Sequence, residues 1–150
     1  MIFLIEAKHP LFCDDMARSL FQYYQSDLDD TAGFDYVRDH SLFFNVYRQT
    51  DGGFVGCVFA FCEQGRVYVG GYALRHRHKE CVLALRRISS LFTCVYAKTR
   101  HRTAEFCLRR AGFKRQKGEK HVWFKTSEDI TQMVCIPVFL SDFDLKKTDC

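Results

Sequence analysis

Five consecutive residues, Arg75-His76-Arg77-His78-Lys79, put three fixed cations and two titratable ones into one short stretch. Its flanks give it a setting. Arg66–Leu74 is rich in Val and Tyr and reads as a strand, while Val82, Leu85, Ile88, Ser89 and Phe92 recur at helical spacing. A strand-to-helix turn leaves the first N–H groups of the helix without partners, at the positive end of its dipole. Such a turn, with Arg and Lys of its own, suits a phosphate held by backbone and side chains together. The competing reading is that these cations solvate an exposed loop.

Other chemistries find less support. His76-x-His78-x-x-Cys81 offers three metal ligands but no evident fourth. A zinc deaminase needs His-x-Glu followed by Pro-Cys-x-x-Cys, and only His78-Lys79-Glu80 supplies the first half. A Walker A loop, a G-x-G-x-x-G fingerprint and a G-x-S-x-G elbow are all absent. Leu42-Phe43-Phe44 and Phe59-Ala60-Phe61 lack the glycine-flanked motif of an RNA-stacking platform and read as core.

Charge supports a basic centre. Residues 75–120 hold 14 Lys and Arg against three Glu, a net of +11; the rest holds 8 against 15 acids, a net of −7. This segregation, within an overall +4, suits an anionic ligand, an acidic protein surface or nucleic acid.

These residues must be positioned by one domain, since 150 residues is about a single domain's length and the chain is 47% hydrophobic and 27% charged. Met1–Ala7 reads as a first strand; with no basic n-region or small-residue cleavage site it is not read as a secretion signal. A cytoplasmic setting is therefore expected, with no membrane partner. The eight cysteines contain no C-x-x-C pair and mostly sit in apolar runs, so free, largely buried thiols are expected.

The rest of the chain reads in order. Apolar residues from Pro10 to Gln25 have helical spacing, Asp27–Asp39 is an acidic loop with a short helix near Phe34–Arg38, and a strand meander follows over Leu42–Gln49, Phe54–Cys62 and Arg66–Leu74. Asp51-Gly52-Gly53 and Glu63-Gln64-Gly65 are its turns. Gly70-Gly71 inside the third strand signals either a bulge or relief beneath a bulky neighbour. Thr93–Lys98 is a buried strand, a helix carrying Ala104, Cys107, Leu108 and Ala111 stops at Gly112, and two short strands close the pattern near Phe113 and Val122–Lys125. The unit from Arg66 to Lys98 is expected to be a crossover with parallel ends. The tail from Glu128 to Cys150 is left unassigned.

This order of elements, with His101-Arg102-Thr103-Ala104-Glu105-Phe106-Cys107-Leu108-Arg109-Arg110-Ala111-Gly112-Phe113, resembles the GCN5-related N-acetyltransferase (GNAT) family. Ala104, Gly112 and Phe113 match its Asn-x-x-Ala-x-x-x-Tyr-x-x-x-Gly-Phe helix. The resemblance implies an α+β fold, a mixed, mostly antiparallel sheet with helices on both faces, spanning 1–150 as one domain. It implies an N-acetyltransferase that takes acetyl-CoA between the strands Arg66–Leu74 and Thr93–Lys98. The cofactor-binding residues it points to are Tyr72, Ala73, Leu74, Arg75, His76, Arg77, His78, Lys79 and His101. The acceptor it implies is an amine-bearing small molecule, a protein lysine or an N-terminus, and Asp27–Asp39 over the acceptor side would favour a cationic one such as a lysine, polyamine or aminoglycoside.

The sequence also departs from the family pattern. His78 and Glu80, or Glu80 and Val82, stand where the cofactor turn has glycines; His101 replaces the Asn and Leu108 the Tyr that protonates the leaving thiolate; the strand Arg66–Leu74 carries no Glu. No catalytic residue is assigned, and Tyr72, Tyr96, His76, His101 and Cys107 are the nearest proton carriers. A catalytically degenerate GNAT-fold binding protein, for example a phage-type inhibitor acting on a host protein or nucleic acid through 75–120, is the alternative reading; an unrelated nucleic-acid-binding α+β module is the third.

Overall fold

The computed structural model describes residues 1–26 and 32–126. The elements are β1 (Ile2–Glu6), α1 (Asp14–Tyr24), α2 (Phe34–His40), β2 (Leu42–Arg48), β3 (Phe54–Glu63), β4 (Arg66–Ala73), α3 (His78–Ser89), β5 (Cys94–Lys98), α4 (Arg102–Arg110), β6 (Lys114–Arg115) and β7 (Val122–Thr126). The strands form one sheet in the order β1-β2-β3-β4-β5-β7-β6. Among the described residues every neighbouring pair is antiparallel except β4–β5.

Strand alternation sends apolar side chains to both faces, and each face has its own helices. Val58, Val69, Val95 and Ala97 pack with Ala84 and Ile88 of α3 and Leu108 of α4. On the opposite face Phe43, Cys57, Phe59 and Tyr72 pack with Ala17 and Phe21 of α1 and Phe34 and Val37 of α2. Phe21, Phe43, Ile88 and Val95 are essentially inaccessible. Each such side chain contributes about 1.5–3 kcal/mol by burial. The α+β architecture with helices on both faces is thus as the sequence implied.

Ion pairs lock α1 to α2. Arg18 bridges Asp14 at 2.9 Å and Asp35 at 2.7 Å, and Arg38 bridges Asp39 at 2.8 Å. Both guanidiniums also lie over the Phe34 ring, at 4.8 and 5.5 Å. Asp35 and Asp39 are therefore neutralised within the helix pair and do not form an open acidic surface. Asp27, Asp29 and Asp30 lie outside the described residues, as does the tail from Ser127 onward.

Three expectations need correction. The first helix begins at Asp14, because Pro10 and Leu11 belong to a turn in which the Phe12 N–H bonds the His9 carbonyl at 2.9 Å, and the Cys13 N–H is held by Asn45 Oδ1 at 2.8 Å. No bulge occurs at Gly70-Gly71: β3 and β4 pair in unbroken register from Gly56–Ala73 to Glu63–Arg66. Those glycines provide clearance, since a Cβ on Gly70 would stand 2.7 Å from the Phe59 ring and one on Gly71 2.8 Å from the Cys57 carbonyl oxygen. The cysteines are not all free. Cys13, Cys57, Cys81, Cys94 and Cys107 are, but Cys62 is disulfide-bonded. It lies exposed near the end of β3, whereas Cys57 and Cys107 are buried and Cys13, Cys81 and Cys94 are partly buried.

Candidate functional site

β4 and β5 run parallel but share one rung, Tyr68 opposite Tyr96. β4 continues to Ala73 and β5 to Lys98. Among the described residues no further rung joins them, and towards their C-terminal ends Gly71 to Ala73 of β4 and Ala97 and Lys98 of β5 line a common gap. The Leu74 N–H donates to the Val55 carbonyl at 2.8 Å. Backbone groups alternate sides along a strand, so Gly70 and Tyr72 direct theirs to β3, while Gly71 and Ala73 direct theirs into the gap beside β5. Unladdered strand backbone in a gap can hydrogen-bond an extended, amide-bearing ligand.

The gap belongs to a cleft of about 680 Å³ lined from both faces of the sheet: Val58, Ala84 and Leu108 come from one side, Phe21, Phe59 and Tyr72 from the other. Solved structures share this fold. An aminoglycoside acetyltransferase, AAC(6')-Ib, in complex with coenzyme A, matches over 88% of this chain and 98% of its own, with a TM-score of 0.64 and 10% identity. An acetyltransferase of the GNAT family from Streptococcus pneumoniae matches over 84% and 99%, with a TM-score of 0.55 and 12% identity. The Campylobacter jejuni N-acetyltransferase PseH, in complex with acetyl coenzyme A, matches over 83% and 96%, with a TM-score of 0.53 and 14% identity. The chain has the GNAT fold. No protein-family model and no curated protein matches its sequence.

Within this GNAT fold the sequence-selected residues fall as follows. Tyr72, Ala73, Leu74, Arg75, His76, Arg77, His78 and His101 line the cleft; Lys79 does not. Lys79 is the second residue of α3 and points to solvent. The Arg75 guanidinium donates to the Tyr23 hydroxyl at 3.1 Å, tying the turn to α1. His76 has φ +63°, so the turn takes up a left-handed residue without glycine; for a side-chain-bearing residue that conformation costs about 1–2 kcal/mol. Arg77 caps α3, its carbonyl accepting the Cys81 N–H at 3.0 Å. Its guanidinium lies 3.8 Å from the Glu80 carboxylate. Glu80 is thereby turned to Arg77 and is not among the cleft residues. At the other side His101 caps α4, its N–H donating to Thr99 Oγ1 at 3.1 Å and its carbonyl accepting the Glu105 N–H at 2.9 Å.

α4 ends as the motif requires. Gly112 has φ +94°, its N–H bonds the Arg109 carbonyl at 3.1 Å, and the Phe113 N–H bonds the Leu108 carbonyl at 3.0 Å. This is a Schellman cap, which favours glycine at that position.

The candidate proton carriers separate by environment. Tyr72 is a strut: its hydroxyl donates to the Ala17 carbonyl at 2.9 Å, and burial pushes its pKa far up. Tyr96 is also raised, first by a hydrogen bond with Cys94 and then by burial. Neither phenol is a base near neutral pH. Leu108 is 4% exposed and part of the core. One residue before it, Cys107 faces the cleft, as does Cys81 of α3. Interaction between the two thiols raises the Cys81 pKa and lowers that of Cys107. Cys57, by contrast, is pushed up to about 12 by burial.

Sequence reading missed a second cluster in the cleft. Glu63, Phe61 and Tyr68 lie together on the α1/α2 face, with Lys98 reaching over from β5. Lys98 Nζ donates to Glu63 Oε2 at 2.9 Å and sits 4.6 Å from the Tyr68 ring centroid. The Glu63 carboxylate raises the Lys98 pKa above its ordinary value. The signal was the period-two run Phe59, Phe61, Glu63, which places a carboxylate on the aromatic face although Glu63 reads as part of a turn. Among the described residues no group of three His, Cys, Asp or Glu is arranged to hold a metal ion, and no helix is long and apolar enough to cross a membrane.

Proposed function

We propose that this chain is an acetyl-CoA-dependent N-acetyltransferase that acts on an amine acceptor. The observation that carries this reading is the parting of β4 from β5 beyond the Tyr68–Tyr96 rung, with the basic turn where β4 ends. The residues present suit the cofactor. Gly71 and Ala73 would bond the amides of the pantetheine arm, while Arg75, His76, Arg77, His78 and the first-turn N–H groups of α3 would hold the pyrophosphate. His101 lies across the cleft at the start of α4. Bound acetyl-CoA supplies an acetyl thioester for transfer to nitrogen. The chain's own part is to hold the two reactants together, exclude water and manage protons. Cys107 is the titratable α4 group that faces the cleft and can hold or give a proton there.

Thermal unfolding of the full chain with and without 1 mM acetyl-CoA tests this. A ligand that binds only the native state must raise the melting temperature, and release of the free CoA thiol in the presence of amines then reports turnover. Cooperative melting without a shift sinks the proposal. The runner-up reading, a GNAT-fold binding protein that has lost catalysis, is favoured by Leu108 sitting in the core where the family's tyrosine would stand. It expects an acidic protein or nucleic-acid partner for the 75–120 segment, with affinity that falls steeply as salt rises.

A further inference from the structure

Lys98 places an ammonium inside the cleft, against a carboxylate and over an aromatic ring. The ring belongs to Tyr68, the residue at which β4 and β5 part. Phe61 stacks on Tyr68 with centroids 5.8 Å apart, and Phe59 continues the stack at 6.2 Å. Tyr24 and Val37 add further apolar wall. Glu63 is the one carboxylate among the described residues that line the cleft, whereas Arg75, Arg77 and Lys98 are all cationic. Asp35 and Asp39, on the neighbouring α2, are engaged by Arg18 and Arg38. A polycation would therefore find one anionic partner and several like charges. A molecule with one ammonium and a flat apolar body would find a partner for each part.

We infer that the acceptor is a primary monoamine with an aromatic body, whose ammonium takes the position Lys98 Nζ now holds between Glu63 and Tyr68. The inference rests on the N-acetyltransferase reading and names its substrate class. Lys98 has a flexible four-carbon stem and a half-exposed side chain, so it can withdraw to solvent when an amine enters. It acts as a competitor built into the site. Glu63 binds the ammonium by charge and the Tyr68 ring by its quadrupole, and the Glu63 carboxylate takes the proton that the nitrogen must give up before it can accept an acetyl group.

The test is an NMR titration of the full-length protein with 2-phenylethylamine and with spermidine, for wild type, K98A and E63Q. K98A vacates the position and should bind 2-phenylethylamine about fivefold more tightly, while E63Q should bind it about fivefold more weakly than wild type, as loss of one ring–cation or ion-pair contact implies. Wild type should bind spermidine no more tightly than 2-phenylethylamine. Unchanged affinity in K98A and E63Q, or a clear preference for spermidine, overturns the inference. The acetyl-CoA melting shift, measured on the same three proteins, separates the two levels. An equal shift in all three with unresponsive amine binding rejects this acceptor site alone, whereas no shift in wild type rejects the acetyltransferase reading.

Discussion

Tyr68 and Tyr96 form the single rung between β4 and β5 among the described residues, their ring centroids 5.8 Å apart, and beyond them the sheet opens. The ladder on the other side of β4 is unbroken. The opening therefore comes from divergence of β5, with no irregularity in β4. Close packing of β4 against β3 is what lets β4 present its far edge to a ligand, and glycine makes that packing fit.

Substituting those glycines should therefore destabilise the sheet in a graded way. A Cβ on Gly56 would lie 2.2 Å from the Tyr72 carbonyl oxygen, fixed backbone in the neighbouring strand. A Cβ on Gly70 would meet the Phe59 ring at 2.7 Å, and a ring can shift. Overpacking of this kind costs about 1–3 kcal/mol. Urea unfolding should place Gly56→Ala at or above the top of that range and Gly70→Ala below it. Equal stability of Gly56→Ala and wild type would contradict the close approach of β3 and β4.

The cations of the β4–α3 turn should not contribute equally. Arg75 and Arg77 line the cleft and Lys79 does not. If the turn holds the pyrophosphate, Arg75→Ala with Arg77→Ala should weaken acetyl-CoA binding by about tenfold or more, the loss of roughly two charge-assisted hydrogen bonds. Lys79→Ala should stay within about twofold, since an exposed charge is worth little. Calorimetric titration of the three proteins checks this, and a large Lys79 effect would move the phosphate site outward along α3.

The ion pairs between α1 and α2 predict an acid limit. Asp35 is held below its ordinary 3.8 by its hydrogen bond from Arg18, and Asp39 likewise by Arg38. A depressed folded-state pKa contributes stability that is present above the unfolded value and is lost as pH falls through the folded one. The contribution of these groups should thus be full well above about pH 4 and fade as pH falls from there through their lower folded-state values. Melting temperatures of Asp35→Asn and wild type should converge as pH drops below 3.8, with a gap at pH 6 that shrinks in 0.5 M NaCl. A gap that persists at pH 2 would assign the effect to packing.

Much of this was legible in the sequence because it is local. Gly52, Gly65 and Gly112 all take positive φ where turns and a helix end were read. The period change near residue 78 marks the start of α3, and the matched Ala104, Gly112 and Phe113 fall in and just after α4. What escaped depends on contacts between distant segments. Glu63 and Lys98 are 35 residues apart and meet only because the crossover returns β5 beside β4. Gly70 and Gly71 carried a correct signal of crowding, but whether that meant a bulge or clearance is decided by Phe59 and Cys57 on another strand. Tyr72 looked like a proton carrier until α1 supplied Ala17 as its partner.

The thiol pair in the cleft makes the last prediction. Interaction with the Cys81 thiol holds the Cys107 pKa below its ordinary 9.0 while that of Cys81 is raised, as expected if the Cys81 S–H donates to the Cys107 thiolate. Alkylation proceeds through the thiolate. In a pH series with iodoacetamide, read by peptide mass spectrometry, Cys107 should label with a lower midpoint than Cys81, and Cys57, pushed up to about 12 by burial, should stay unlabelled near neutral pH. Cys81→Ala removes the donor, so the Cys107 midpoint should rise. If the cleft takes acetyl-CoA, bound CoA should slow labelling of Cys107 in both proteins. A midpoint that does not move in Cys81→Ala would show that the two thiols are not hydrogen-bonded in solution, and Cys107 would then lose its standing as the proton-holding group of α4.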